Sequence, residues 1–163
     1  MNRTEEATAI ARPLINPAMA LQKPLEDYIH FLERMTTRSL PLLNKLATPG
    51  MHFHDPLHDV HGVAAVMEVF AQKLSNLTAP RLRVKDFCWG REQPVAYLRW
   101  DLTGQKDGES FFEQGISEIM FSNDGYVMAH RDYLGSLVMP ESAPTLLQRL
   151  RTRISGKLRS KSA

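Results

Sequence analysis

Cysteine is almost absent from the chain. Cys88 is the only one among 163 residues, which excludes an intramolecular disulfide and removes any sign of an oxidising compartment. No run approaches the ~20 apolar residues that a membrane span needs. Residues 1–22 carry Glu5 and Glu6 and lack a continuous apolar stretch, so they do not read as a signal peptide. A cytoplasmic protein is the expectation. No GxSxG elbow, P-loop or GxGxxG precedes a helix, and neither CxxC nor HExxH occurs. No internal repeat is visible. An excess of positive charge is also missing from the body: residues 1–140 hold 14 Lys/Arg against 17 Asp/Glu, so nothing there suggests nucleic acid.

Hydrophobic residues make up 43% of the chain, enough for a real core. Size and the spread of prolines favour one domain with irregular ends: an arm over 1–22, a body over 23–138 and a tail over 139–163. The tail is basic. Residues 141–163 hold six Lys/Arg and one Glu, and Leu146, Leu147, Leu150, Ile154 and Leu158 form an apolar stripe. Such a helix either docks on an anionic membrane surface or a partner, or is an ordinary solvated surface helix.

Pro24 suits the first position of a helix carrying Leu25, Tyr28, Ile29, Leu32 and Met35 at helical spacing. A short second helix through Leu43 and Leu46 follows. A third helix over about 62–76 is marked by Val63, Val66, Met67, Phe70 and Leu74. From Arg81 the period becomes two. Strands are expected near 82–88, over 95–103, over 111–121 and over 126–133, with a hairpin loop at 104–108 and a turn at 122–125. This order describes an α+β domain: a curved antiparallel sheet with helices packed on its concave face.

The densest chemistry lies in Met51–Gly62, with four histidines (52, 54, 58, 61) and two aspartates (55, 59). It reads as a short strand at 51–54 stopped by Asp55-Pro56, then a polar turn into the third helix. A carboxylate at a strand end beside a helix start is rigidly placed, as a catalytic base must be; it equally suits a turn cap. The histidines depart from the HxHxDH metal pattern, with Pro56 and Leu57 where Asp and His would stand. His52 and His54 share a strand face and, with His58 and Asp59, could bind a metal; the favoured reading is surface and turn histidines, and no metal or other cofactor is expected. His130 and Asp132, two apart on a strand, share one face. If that face is inward they form an acid/base pair or a buried polar network; if outward, Arg131 and Tyr133 face in. Trp89, Trp100, Phe70 and Phe87 either line a pocket or pack the core.

The element order, Phe53-His54-Asp55-Pro56 followed by Gly62 and a helix, the Phe121-Ser-Asn-Asp-Gly125 turn and Ala129-His-Arg-Asp-Tyr133 in the last strand resemble the nuclear transport factor 2-like (NTF2-like) superfamily, over about residues 24–135. Ketosteroid isomerases and SnoaL-like polyketide cyclases belong to that group, and the nearest resemblance is to uncharacterised bacterial SnoaL-like proteins. The resemblance implies a cone around an apolar pocket. Asp55 falls where ketosteroid isomerases place their general base, and Tyr28 where they place an oxyanion-binding tyrosine. Ser117 stands near their second oxyanion donor. Asp132 or His130 falls where SnoaL-like cyclases place an acid/base group. The implied function is proton transfer on a small, apolar carbonyl compound, by Asp55 with Tyr28, His130 and Asp132. Trp100, Phe70, Ser117 and His54 are expected at the ligand. The rival reading is a non-catalytic carrier for a hydrophobic molecule, held at a membrane by the tail. A homodimer through the outer sheet face, with Val95, Tyr97, Arg99 and Asp101, is expected in either case.

Overall fold

The computed structural model describes residues 17–91 and 94–134, with side chains from residue 20. The expected basic helix and the first 16 residues of the arm lie outside these. The first helix, α1 (Pro17–Glu33), begins seven residues before Pro24, which therefore falls inside it rather than at its head. An interior proline forfeits the bond to the carbonyl four residues back, here Ala20. The apolar stripe nevertheless runs unbroken through Leu21, Leu25, Tyr28 and Leu32, all buried. Burial of that stripe outweighs the lost bond, because helices in proteins are held mainly by their packed face.

A single 3-10 turn (Leu40–Leu42) leads into the one-turn α2 (Leu43–Leu46) and then β1 (Ala47–His54). β1 ends at the residue before Asp55-Pro56, as the proline requires. The stretch expected as a polar turn contains a short strand, β2 (Asp59–His61), before α3 (Val63–Ser75). The meander is β3 (Thr78–Trp89), β4 (Val95–Lys106), β5 (Glu109–Phe121) and β6 (Val127–Leu134). β4 and β5 run on to the pair Lys106 and Glu109, so the expected five-residue loop shrinks to Asp107-Gly108. Both residues have positive φ (54° and 81°), the geometry whose twist matches a two-residue hairpin.

The six strands lie in the order β2-β1-β6-β5-β4-β3. The sheet is mixed rather than wholly antiparallel, because β1 runs parallel to β6. It is curved and unclosed, with register shifts in β3 between Val84 and Asp86 and in the β5–β6 pairing between Met120 and Phe121. Each shift inserts residues on one strand and bends it. The first also breaks the alternation expected for β3: Cys88 is exposed, and Trp89 turns in toward Phe121, with ring centroids 6.0 Å apart. The core forms where α1 and α3 meet the concave face, around Tyr28, Phe53, Phe70, Leu98, Ile119 and Phe121. One glycine is demanded by close packing: a Cβ at Gly115 would stand 2.3 Å from the Trp100 ring, which lies directly over it.

Candidate functional site

Register decides which side of the last strand looks inward. Ser117 pairs with Asp132 and Ile119 with His130 across β5 and β6, and Phe53 of β1 pairs with His130 on the other side. His130 and Asp132 therefore face the helices. Arg131 and Tyr133 point away, and Tyr133 is 47% exposed.

These side chains form one continuous polar chain through the core. Tyr28, fully buried on α1, lies 2.8 Å from His130 Nδ1. His130 Nε2 lies 2.8 Å from Asp132 Oδ1 and 3.1 Å from Ser117 Oγ. Ser117 donates to Asp132 Oδ1 at 2.6 Å and accepts from Trp100 Nε1 at 2.8 Å. The partners fix the protons. Asp132 can only accept, so His130 Nε2 carries a hydrogen; in the neutral ring Nδ1 then accepts from the Tyr28 hydroxyl. Phe53 and Phe70 stand edge-on to the His130 ring, at 5.3 and 6.1 Å between centroids.

Asp132 Oδ2 continues the chain to Lys73 Nζ on α3, at 3.3 Å, and Lys73 reaches Asp55 Oδ2 at 2.7 Å. Asp55 Oδ1 accepts the N–H groups of Leu57 and His58 at 2.8 and 2.7 Å, and lies 2.9 Å from His58 Nδ1. The Asp-Pro turn thus holds the Asp55 carboxylate through its own backbone. Lys73 also sits 4.8 Å over the Phe53 ring. Its side chain is 37% exposed, whereas those of Asp55 and Asp132 are 3% and 10% exposed. Of the three, the Lys73 side chain is the one that is partly exposed.

The electrostatics separate three carboxyls. Burial pushes Asp132 up, but His130, Lys73 and Ser117 outweigh it and hold the group well below the usual carboxylate range. Burial likewise opposes Asp55, yet Lys73, the Leu57 N–H and His58 lower it. Burial and the nearby Asp132 charge raise the Tyr28 phenol well above its ordinary value. Burial would lower Lys73, but Asp132 and Asp55 raise it. Glu113 behaves oppositely to the two aspartates. It shares the β5 face of Gly115 and Ser117, and burial raises its carboxyl; Asp132 and Asp55 add to that and Lys73 opposes it. Sequence reading passed over both Glu113 and Lys73. A glutamate two residues before the Gly115-Ile-Ser117 run, and a lysine on the helix after the Asp-Pro turn, carry no motif until the register is known.

The structure therefore joins Tyr28, His130, Asp132, Ser117, Trp100 and Asp55 into one network, with Phe70 packed against it. His54 is not among them. It alternates with Phe53 and Asp55, so it lies on the other face of β1, 43% exposed and 3.6 Å from Asp59.

A curved, open mixed sheet of six strands with three helices is the architecture of the NTF2-like proteins. Residues 28–130 match the SnoaL-like domain family, and the chain belongs to it. A solved NTF2-like protein of unknown function from Exiguobacterium sp. 255-15 superposes with a TM-score of 0.61 at 16% identity, over 69% of this chain and 98% of that one. A putative SnoaL-like polyketide cyclase from Jannaschia sp. CCS1 gives 0.62 at 14% identity, over 71% and 88%. A hypothetical protein with a ketosteroid isomerase-like fold from Catenulispora acidiphila DSM 44928, solved with trimethylamine, gives 0.57 at 11%, over 71% and 86%. No curated protein matches the sequence. No described helix is long and apolar enough to cross a membrane.

Proposed function

We propose that this SnoaL-like protein moves a proton next to the carbonyl of a small, apolar, uncharged compound, as an isomerase or cyclase does. The observation that carries this reading is the partly exposed Lys73 side chain on the concave face, near Glu113, the inward carboxyl among the described residues whose value ends up raised. Two of the three Lys73 N–H groups are taken by Asp55 and Asp132. In this reading the third donates to a developing enolate oxygen. The Glu113 carboxylate takes the proton from the carbon next to the carbonyl and returns it elsewhere on the same molecule. A raised carboxyl is a better base than Asp55 or Asp132, whose ionised forms are stabilised by their partners. Asp55 and Asp132 instead hold Lys73, and Tyr28, His130 and Ser117 hold Asp132. Lys73 with its two aspartates carries a net charge of −1, which disfavours an anionic substrate.

Proton exchange tests this without knowledge of the natural substrate. The protein is incubated with 2-tetralone and a panel of cyclic ketones in D2O, and loss of the α-proton signal is followed by NMR. The wild-type chain is expected to accelerate exchange, and Glu113→Gln to lower that rate by about 10²–10⁴-fold, the usual worth of a general base. Equal rates in a folded Glu113→Gln variant would overturn the assignment. A carrier for a hydrophobic ligand is the second reading, favoured by the two aspartates being locked in ion pairs. Ligand retained in native mass spectra with no exchange on any ketone would select it.

The outer sheet face supports the expected homodimer. There Ile116 of β5 lies opposite Tyr133 of β6 and diagonal to Tyr97 of β4, which pairs with Glu118; the three are 44%, 47% and 37% exposed. Ile116→Asp is expected to convert a dimer to a monomer in size-exclusion light scattering, by placing a charge at the centre of that patch. An unchanged mass would argue against this face.

A further inference from the structure

On the outer face of the β1–β2 hairpin, away from the concave site, stands a second cluster. His52 is paired with His61 and His54 with Asp59. The Gly62 N–H bonds to Met51 O, and Asp55 and His58 exchange both backbone bonds. These bonds place 52/61 and 54/59 as the non-hydrogen-bonded pairs of the ladder, where facing Cα atoms come within roughly 4.5 Å and side chains are closest. The His52 and His61 rings stack at 4.0 Å, 8° from parallel. His52 Nε2 lies 2.6 Å from Asp59 Oδ1. One donor atom from each of His52, Asp59 and His61 lies within 4.8 Å of the other two.

We propose that His52, Asp59 and His61 form a binding site for one divalent transition-metal ion of the Zn²⁺ class. Two imidazoles and a carboxylate suit such a borderline cation, and hard ions such as Mg²⁺ or Ca²⁺ prefer all-oxygen sites. Bonds of about 2.0–2.1 Å set tetrahedral neighbours roughly 3.3 Å apart, so side-chain rotation closes the site without moving the strands. The ion takes the place of the His52–Asp59 hydrogen bond. His54, 3.6 Å from the second Asp59 oxygen, orients the carboxylate from outside the coordination sphere. The three ligands leave a fourth position to water. Because the ligands come from both strands, the ion staples the three-residue β2 to β1.

Sequence reading weighs His54 and His58 rather than His61 as partners of His52 and Asp59, because the spacing His-x-His-x4-Asp-x-His matches no metal pattern until the strands are folded into register. The test is calorimetric titration of ZnCl2 into the untagged, chelator-stripped full chain at about pH 7.5, where free imidazoles are neutral. One saturable equivalent per chain is expected, with the melting temperature raised by Zn²⁺. His52→Ala and His61→Ala, both at accessible positions, are each expected to weaken binding at least about ten-fold. His30→Ala, on α1, should leave it unchanged. Co²⁺ in place of Zn²⁺ should give the strong visible bands of a four-coordinate ion, lost in His61→Ala. Absence of a saturable equivalent, or binding indifferent to both variants while their circular dichroism matches wild type, overturns the site.

Discussion

Replacing Lys73 with Met is expected to destabilise the protein by about 2–3 kcal/mol at neutral pH, read by urea unfolding. Removing one partner of a buried ion pair costs about 3–5 kcal/mol, and partial solvation of this lysine reduces that. The side chain is 37% exposed, but the carboxylates it neutralises are 3% and 10% exposed. Met keeps most of the apolar stem, so loss of the charge, including its place over the Phe53 ring, dominates the effect. The pH dependence separates charge from packing. Asp55 and Asp132 have lowered values in the folded chain. Their stabilisation is present above the unfolded carboxylate value of about 3.9 and is lost as pH falls through the folded values. Without Lys73, burial opposes both carboxylates with less to offset it. The penalty of Lys73→Met should then be large at pH 7 and shrink toward about pH 4, where the unfolded carboxyls take up protons too. A penalty that is the same at both pH values would mean that Lys73 acts only by packing.

His130→Leu is expected to cost about 3 kcal/mol, with near-native circular dichroism in the absence of denaturant. Leucine approximates the ring's volume but leaves the fully buried Tyr28 hydroxyl without its acceptor and takes a donor from Asp132. An orphaned buried polar group costs about 1–3 kcal/mol, more when charge is involved. Tyr28→Phe removes only the donor and should cost about 1 kcal/mol. In the double variant the phenol is gone, so adding His130→Leu to Tyr28→Phe should cost less than it does in wild type. That non-additivity, on the order of 1 kcal/mol, measures the Tyr28–His130 bond. Strict additivity would mean the two groups are not coupled as the 2.8 Å contact requires.

Much of the site was legible one residue at a time. Asp55-Pro56 reads as a strand end in either the sequence or the structure, because proline restricts its neighbour and removes a ladder donor wherever it sits. The pairing of His130 with Asp132 follows from the two-residue period of a strand. Which face that pair would use did not follow, since a shift of one residue reverses every side chain. Tyr28 was correctly placed on a buried stripe, but a hydroxyl's partner 102 positions away leaves no local trace. Pro24 was read as a helix start because local propensity says so; the packed stripe that carries α1 past it is a tertiary effect.

Local chemistry in the chain was enough to determine the α+β order, the Asp-Pro stop, the glycine turns and the inventory of titratable groups. These depend on backbone restrictions and short periods that neighbours in sequence impose. Long-range register alone decided that β1 would lie parallel to β6, that Lys73 would stand between Asp55 and Asp132, and that His52, Asp59 and His61 would converge on the outer face. Charges and lone pairs interact through space, and only the folded sheet sets those distances.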